Sequence, residues 1–352
     1  MLEKAQVRNI LKTIYDNFNI DKMAEITLEC NPESITDDKM EGYSKFGINR
    51  ISIGVQSLNN DILKIIGRIH DREEVFKKFK IVEKYFDNIS VDMMFGLPNQ
   101  TVEILKNNLE EVVNNLGKNG KLKHISVYSL ILEKGTKFWN NSKIEKMLPS
   151  EEEERDMYKA AQKILDENGY IQYEISNFAK KGYESRHNVN CWKQMEYYGF
   201  GIGASSYYNN IRYTNIRGIY KYIEKYLEKI DKKDYKNSNE EKKRFLIKLN
   251  EDKIQNEYIL KKGMEYIYKN YNILEIQKAE DKLREKIIIG LRMEKGIYLE
   301  KEMIENFEIN KVIDKYIKLK FLKKYIGKGR KRIYLLNRRR KKLCKYYMAR
   351  TC

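Results

Sequence analysis

Polar side chains recur where short apolar segments of this 352-residue chain come to an end. Glu29 and Asn31 follow the first segment, Gln56 follows the second, Asp92 lies in the third and Ser129 closes the fourth. Carboxylates and amides accept and donate hydrogen bonds, which suits a polar ligand that carries hydroxyl or ammonium groups. Each residue alone is equally well explained as a strand-end cap or a turn former. Their recurrence on consecutive segments favours a shared binding site.

The elements that must position these residues alternate between strand and helix. The pattern predicts strands over 26–29, 51–55, 89–95 and 124–130, and helices over 2–18, 36–46, 59–67, 72–85, 101–116 and 150–168. Strand–helix repeats of this length are typical of a parallel sheet, open or closed, whose carboxyl edge carries the functional loops. We therefore predict an α/β fold with the polar residues gathered at one edge of the sheet.

A glycine-rich aromatic run lies between Tyr197 and Ala204. The alternation of Gly199, Gly201 and Gly203 predicts a strand that another group approaches closely. The run is not a dinucleotide fingerprint, because it lacks the third glycine of GxGxxG and opens no clear helix.

The cysteines and the apolar runs indicate the cellular compartment. Cys30, Cys191, Cys344 and Cys352 do not form a disulfide framework, which favours a reducing, cytoplasmic compartment. Apolar runs stay well short of the ~18–20 residues that a membrane span needs, and the first residues do not read as a signal peptide. The isolated Cys30 is expected to be a small apolar residue without a metal.

The C-terminal part differs from the rest in charge. Residues 311–352 hold 17 Lys or Arg and one acid, against a formal net charge of +18 for the whole sequence. Residues 279–336 read as helices followed by a hairpin over 325–336, an order typical of a small winged-helix domain. Its basic wing could bind phosphate backbones, but no aromatic–basic interleaving accompanies it, so nucleic acid is the less favoured partner.

Six blocks of sequence carry a resemblance to one family. They are ITLECNPESIT (26–36), INRISIGVQSLNNDILKIIGRIH (48–70), ISVDMMFGLPNQT (89–101), HISVYSLILEKGT (124–136), YEISNFAKKGYESRHN (173–188) and YYGFGIGASSY (197–207). In this order they resemble the radical S-adenosylmethionine (SAM) proteins related to oxygen-independent coproporphyrinogen III oxidase, and most of all their heme chaperone HemW branch. The resemblance covers about residues 5–210 and resumes at about 280–335.

The resemblance implies a partial (βα)₆ barrel followed by a C-terminal domain. It also implies that Glu29, Gln56, Arg68 and Asp92 hold S-adenosylmethionine, with Arg68 able to meet the ligand carboxylate as a bidentate fork. The simpler alternatives are a strand-end cap for Glu29 or Gln56 and a surface ion pair for Arg68.

The sequence departs from the family pattern at its start. Family members carry a CxxxCxxC loop, whose three thiolates ligate a [4Fe–4S] cluster, and a GGGTP block; neither occurs in this sequence. We therefore expect an N-terminally truncated barrel with about four of the six strands. We assign no cluster ligands, no metal and no catalytic residue, and we expect no radical chemistry.

A second site implied by the resemblance concerns heme. HemW-type proteins carry an HNxxY motif that is implicated in heme binding, and His187 and Asn188 match its first two residues. Cys191 replaces the tyrosine, either as a further heme contact or as a poor filler of the space. The simpler alternative for His187 is a hydrogen-bonded histidine in a polar turn.

The favoured prediction is a cytoplasmic, HemW-like heme-binding chaperone that serves recipient hemoproteins or respiratory enzymes. The alternatives are a coproporphyrinogen III oxidase-like radical SAM enzyme and a nucleic-acid binder. The predicted domains are a partial barrel (1–170), a barrel-associated segment with the HN pair (171–215), a helical linker or insert (216–278), the winged-helix-like domain (279–336) and a basic tail (337–352).

Overall fold

A computed structural model describes residues 2–136, 138–222, 272–298, 305–320, 322–326 and 332–336. These residues fall into two compact units, one within Met1–Val189 and Leu291–Thr351 and the other within Asn190–Gly290. The predicted basic tail and most of the predicted helical linker lie outside the described residues, and the domain limits stay predictions. No helix in the described ranges is long and apolar enough to cross a lipid bilayer.

A six-stranded sheet organises the first unit. Its strands are β1 (Thr27–Cys30), β2 (Arg50–Gln56), β3 (Ile89–Phe95), β4 (Leu122–Ser129), β5 (Ile171–Gln172) and β6 (Asn177–Ala179). The order is β1-β2-β3-β4-β6-β5, with parallel pairing from β1 to β4 and antiparallel pairing of β6 with both β4 and β5. The predicted α/β fold with four βα-type strands is confirmed; the two short antiparallel strands were not predicted.

Helices flank the strands of this unit; the six predicted ones are present, whereas those at 142–146 and 186–192 were not predicted. The helices are α1 (Lys4–Asn17), α2 (Asp37–Lys45), α3 (Asn60–Ile65), α4 (Arg72–Val82), α5 (Val102–Glu111), α6 (Ser142–Lys146), α7 (Glu151–Glu167) and α8 (Arg186–Trp192). The side chains of Thr36, Thr101 and Ser150 accept backbone N–H groups as caps at the starts of α2, α5 and α7, where the predicted helices begin. The helix predicted to reach residue 116 continues beyond α5 as one π-helical turn, Val112–Leu116.

The parallel strands separate apolar and polar side chains onto opposite faces, because successive residues of a strand point to opposite sides. One face packs in the hydrophobic core and carries Leu28, Cys30, Ile51, Ile53, Val55, Ile89, Val91, Met93, Phe95, Ile125 and Val127. The other, called the polar face below, carries Glu29, Arg50, Ser52, Gln56, Ser90, Asp92, His124, Ser126 and Tyr128. Much of this polar face is nevertheless buried, so its groups need hydrogen-bond partners. The sheet therefore carries most of its polar groups on one side.

A smaller antiparallel sheet lies in the second unit. Its strands β7 (Ser205–Tyr208), β8 (Ile211–Thr214) and β9 (Asn272–Ile276) are followed by helix α9 (Ala279–Gly290). On α9, Glu285 accepts hydrogen bonds of 2.7 Å from both Arg212 and Gln194. The prediction of a helical linker is wrong at its end, because Asn272–Ile276 pairs with β8 as a strand.

The predicted strand in the glycine-rich run is also wrong. Residues 198–204 form a loop in which Gly201 and Gly203 have positive φ values of 96° and 67°, a conformation that breaks strand geometry. The predicted close approach does occur at Gly199, where a Cβ would lie 2.2 Å from the backbone oxygen of Ser205. The approaching group is thus the chain's own next strand.

The described C-terminal residues follow the predicted winged-helix order. Helix α10 (Phe307–Lys318) precedes the hairpin of β11 (Leu322–Ile326) and β12 (Arg332–Leu336), and β10 (Ile297–Tyr298) pairs with β12. The predicted hairpin is confirmed. Residues 299–304, within the predicted helical part of this domain, lie outside the described residues.

Candidate functional site

Gln56 closes β2 in an unusual backbone conformation. Its φ of 68° is left-handed, and the pairing of β2 with β3 shifts register between Gly54 and Gln56. A non-glycine residue held there costs of order 1–3 kcal/mol, and such strain is often found where a side chain must be aimed at a ligand. The Gln56 side chain is buried, and its Oε1 accepts a 2.9 Å hydrogen bond from the hydroxyl of Tyr128.

Asn31 and Arg68 meet beside Gly54. The Arg68 Nη1 donates a 2.9 Å hydrogen bond to Oδ1 of Asn31. A Cβ on Gly54 would lie 3.1 Å from that Oδ1 and 3.0 Å from Nε2 of Gln56. The absence of a side chain at Gly54 therefore lets the ends of β1 and β2 bring these two amides together.

A buried histidine supports the segment that carries Arg68. The His70 ring lies 3.2 Å from the backbone oxygen of Val55 through Nε2 and 3.2 Å from the carboxylate of Glu33 through Nδ1. Val55 adjoins Gln56, and Glu33 follows β1. His70 thus ties together the three segments from which the polar side chains project.

Asp92 lies on β3 between two hydroxyls. Both carboxylate oxygens are 3.2 Å from Oγ of Ser52, and Ser126 hydrogen-bonds the same carboxylate. Burial raises the pKa of Asp92 above its ordinary value, with a further contribution from the Glu29 charge, although the two hydroxyls oppose the rise. Asp92 is therefore a carboxylate that would gain from a cationic or hydrogen-bond-donating ligand.

The structure brings most of the predicted S-adenosylmethionine residues to one edge. Glu29, Gln56 and Asp92 share the polar face, and Arg68 reaches this edge through Asn31. We call Glu29, Asn31, Gln56, Arg68, Asp92 and Tyr128 the strand-end site. Ser129 falls on the opposite face of β4, so its predicted place belongs instead to Tyr128.

Sequence reasoning missed Ser52, Ser126 and Tyr128. The available signal was a polar residue at every second position of a strand, as in His124, Ser126 and Tyr128 of β4. Burial, and secondarily the charge of Asp92, raise the pKa of Tyr128 to about 12, so its hydroxyl stays a hydrogen-bond donor.

The donors and acceptors of the strand-end site fit the ammonium, carboxylate and ribose hydroxyls of S-adenosylmethionine. The cysteines of this sequence do not fit a [4Fe–4S] cluster in the same way. Cys30 packs in the core, where burial raises the pKa of its thiol to about 12, and no other cysteine lies within the CxxxCxxC spacing. In the described residues, no three His, Cys, Asp or Glu side chains are grouped to hold a metal ion.

Helix α8 carries the HN pair, and its start is fixed to the loop before β1. The backbone N–H of Arg186 lies 3.2 Å from both carboxylate oxygens of Glu25, and Arg186 Nη1 donates a 2.6 Å bond to the backbone oxygen of Met23. These contacts join positions more than 160 residues apart and hold the first turn of α8 in place.

The two members of the HN pair are placed differently. His187 is exposed on α8, so it does not lie in a turn, whereas Asn188 is half-buried and its side chain hydrogen-bonds the hydroxyl of Tyr173. Cys191 lies later in the same helix, and burial raises the pKa of its thiol. The predicted heme roles of these three residues stay predictions.

Known proteins are similar to this chain in sequence and in fold. Residues 2–112 match the radical SAM superfamily. Proteins named heme chaperone HemW are also similar: that of Lactococcus lactis is 39% identical over 225 residues, which is 63% of this chain and 58% of that protein. That of Bacillus subtilis is 39% identical over 209 residues, 59% of this chain and 54% of that protein. The chain thus spans little more than half the length of these curated relatives.

Among solved structures, the coproporphyrinogen III oxidase HemN of Escherichia coli, described as a radical SAM enzyme, shares the fold. The TM-score is 0.69 at 20% sequence identity, covering 99% of this chain and 74% of that one. This level of identity supports the fold alone. With this fold beside the radical SAM superfamily match over residues 2–112, the chain is similar to radical SAM proteins named heme chaperone HemW.

Proposed function

We propose that this chain is a heme-binding chaperone of the HemW type whose strand-end site binds S-adenosylmethionine. The observation that carries the proposal is the exposed imidazole of His187 on a helix whose first turn is fixed by Glu25. A neutral imidazole is a good axial ligand for heme iron. The names of the similar proteins support the same function.

The strand-end site supplies the second half of the proposal. Arg68 would receive the ligand carboxylate, while Glu29 and Asp92 would accept from its ammonium or ribose hydroxyls. The buried Gln56, fixed by Tyr128, would orient the remaining polar contacts. In the family, S-adenosylmethionine supplies a radical only together with an iron–sulfur cluster, which the cysteines of this sequence do not fit.

Heme bound at His187 would be passed to recipient hemoproteins or respiratory enzymes in the cytoplasm. An exposed ligand suits transfer better than a buried one, because the recipient must reach the heme before it is released.

Hemin titration of the purified chain tests the heme site. The Soret band of added hemin is expected to shift with saturation at one equivalent, and His187→Ala is expected to weaken binding about tenfold or more, since it removes the iron ligand. Lys181→Ala, at an exposed position of the same segment, is the matched control. Equal affinity of His187→Ala and the wild type would exclude the assigned ligand.

A coproporphyrinogen oxidase-like activity is the alternative that the same experiment addresses. An enzyme acting on a porphyrinogen would bind the reduced, metal-free tetrapyrrole in preference to hemin. Hemin binding that depends on His187 therefore favours the chaperone function.

A further inference from the structure

Asn188 is held by a buried hydrogen-bond network that begins deep in the sheet. Ser90 on β3 lies with its Oγ 2.8 Å from Nδ1 of His124 on β4, and Nε2 of His124 lies 2.8 Å from the hydroxyl of Tyr173. The Tyr173 oxygen is also 3.3 Å from the backbone nitrogen of Ser185 and bonds the side chain of Asn188. The network thus runs from the centre of the sheet to α8.

The direction of each bond follows from the available protons. Ser185 N–H and the Asn188 amide both donate to the Tyr173 oxygen, which leaves the phenolic hydrogen to be donated to His124. Nε2 of His124 is then an acceptor. Burial, with a smaller contribution from Arg50, lowers the pKa of His124 to about 3, so the ring is neutral and its single proton lies on Nδ1, donated to Ser90.

Three groups of this network are shielded from solvent. Ser90, His124 and Tyr173 are 0%, 1% and 7% exposed. Breaking one bond would leave a buried polar group without its partner, which makes the network stiff and its geometry specific. Its last bond therefore fixes the rotation of α8 about its own axis as well as its position.

We propose that Asn188 is the positioning residue of the HN pair, locked by Tyr173, His124 and Ser90, and that its fixed rotation presents His187 to the heme iron. This inference rests on the proposed heme-binding function. Neighbouring residues of a helix project about 100° apart. An Asn188 side chain that points toward Tyr173 therefore directs the imidazole of His187 to a different side of α8, where it is exposed.

The absorption spectrum of bound heme distinguishes the role of Asn188 from that of His187. Tyr173→Phe and Asn188→Ala are expected to weaken hemin binding about fivefold or more while the Soret and charge-transfer bands of the bound heme stay those of the wild type, because the iron keeps its imidazole. His187→Ala is expected to change those bands. A double-mutant cycle of Tyr173→Phe with Asn188→Ala should be strongly non-additive, since the two act through one bond. Tyr220→Phe, at a position 84% exposed, is the control for loss of a phenolic hydroxyl.

Amide hydrogen exchange without heme gives an independent measurement. Residues 186–189 are expected to exchange about tenfold faster in Tyr173→Phe than in the wild type. Faster exchange with unchanged hemin affinity would overturn the positioning role, and so would altered bands of bound heme in Asn188→Ala, because Asn188 would then contact the ligand. Unchanged exchange would overturn the network itself. Failure of the wild type to bind hemin would instead defeat the proposed function, and the exchange result would still show whether the network holds α8.

Discussion

The hydroxyl of Tyr128 donates a 2.9 Å hydrogen bond to Oε1 of Gln56, 72 positions earlier in the chain. Because Oε1 is occupied, Nε2 of Gln56 is turned toward Gly54, where a Cβ would lie only 3.0 Å away. The amide oxygen is therefore fixed by the Tyr128 hydroxyl, on a backbone with a left-handed φ of 68°. This combination of a fixed side chain and a strained backbone places the centre of the strand-end site at the end of β2.

Replacement of Gln56 tests the strain directly. Gln56→Gly and Gln56→Ala both lose the bond from Tyr128, but only glycine adopts a positive φ without cost. We expect Gln56→Gly to be more stable than Gln56→Ala by about 1 kcal/mol. Urea unfolding at pH 7 measures the difference. If alanine proved equal to or more stable than glycine, the backbone at this position would not be strained.

Replacement of Asp92 should reveal its raised pKa. Burial favours the protonated form in the folded state, so the stability that Asp92 contributes is present below the ordinary pKa of 3.8 and is lost as the pH rises through the raised value. Asp92→Asn carries no such charge. Its free energy of unfolding is therefore expected to increase relative to that of the wild type as the pH is raised from 3 to 8.

The matched control for Asp92 has the opposite sign. Asp156 is exposed, and its hydrogen bond to Lys159 lowers its pKa, so Asp156→Asn should lose a little stability relative to the wild type over the same rise in pH. Denaturant titrations at several pH values compare the two variants. Parallel pH profiles of Asp92→Asn and the wild type would contradict the assigned burial of the Asp92 charge.

His124 is expected to make the folded state sensitive to acid. Its pKa falls from an ordinary 6.5 to about 3 on folding, mainly through burial, so the unfolded chain takes up the proton that the folded chain excludes. The stability from this group is present above pH 6.5 and is lost as the pH falls toward 3. Between pH 7 and pH 5 the wild type should lose up to about 2 kcal/mol relative to His124→Gln.

The neutral amide of His124→Gln makes this difference interpretable. The introduced side chain can still hydrogen-bond and does not titrate, so any constant loss from the altered network appears equally at both pH values and cancels. Unfolding curves recorded at pH 7, 6 and 5 give the comparison. A constant gap between the two proteins would mean that His124 titrates in the folded state much as it does in the unfolded chain.

The parallel strands and their helices could be predicted from the sequence, because local sequence signals determine both. The hydroxyl side chains of Thr36, Thr101 and Ser150 favour the N-cap position and so indicate where helices begin. The alternation of apolar residues in β2 and β3 indicates which side chains enter the core. Local sequence signals gave a wrong prediction for residues 198–204, where the alternating glycines suggested a strand. In the structure these glycines allow positive φ values and a close approach of the backbone, and neither requirement produces a periodic sequence pattern.

The candidate site was predictable in its residue types and unpredictable in its contacts. Glu29, Gln56 and Asp92 could be named because each lies at or near the end of a strand. Their contacts with Tyr128 and Ser126 could not be predicted, because these contacts depend on the register of β4 beside β3. The bond from Arg186 to Glu25 joins residues 161 positions apart, and no local pattern predicts such a pair.

Arg68 provides the sharpest test of ligand binding at the strand-end site. A guanidinium can donate to Asn31 and still present two further N–H groups to a carboxylate, whereas a lysine ammonium offers a single charged point. We expect Arg68→Lys to weaken S-adenosylmethionine binding about tenfold in isothermal titration, nearly as much as Arg68→Ala, with unchanged stability in urea. Arg155→Lys, on the exposed part of α7, is the control. Full affinity in Arg68→Lys would show that charge alone suffices, and full affinity in Arg68→Ala would remove Arg68 from the site.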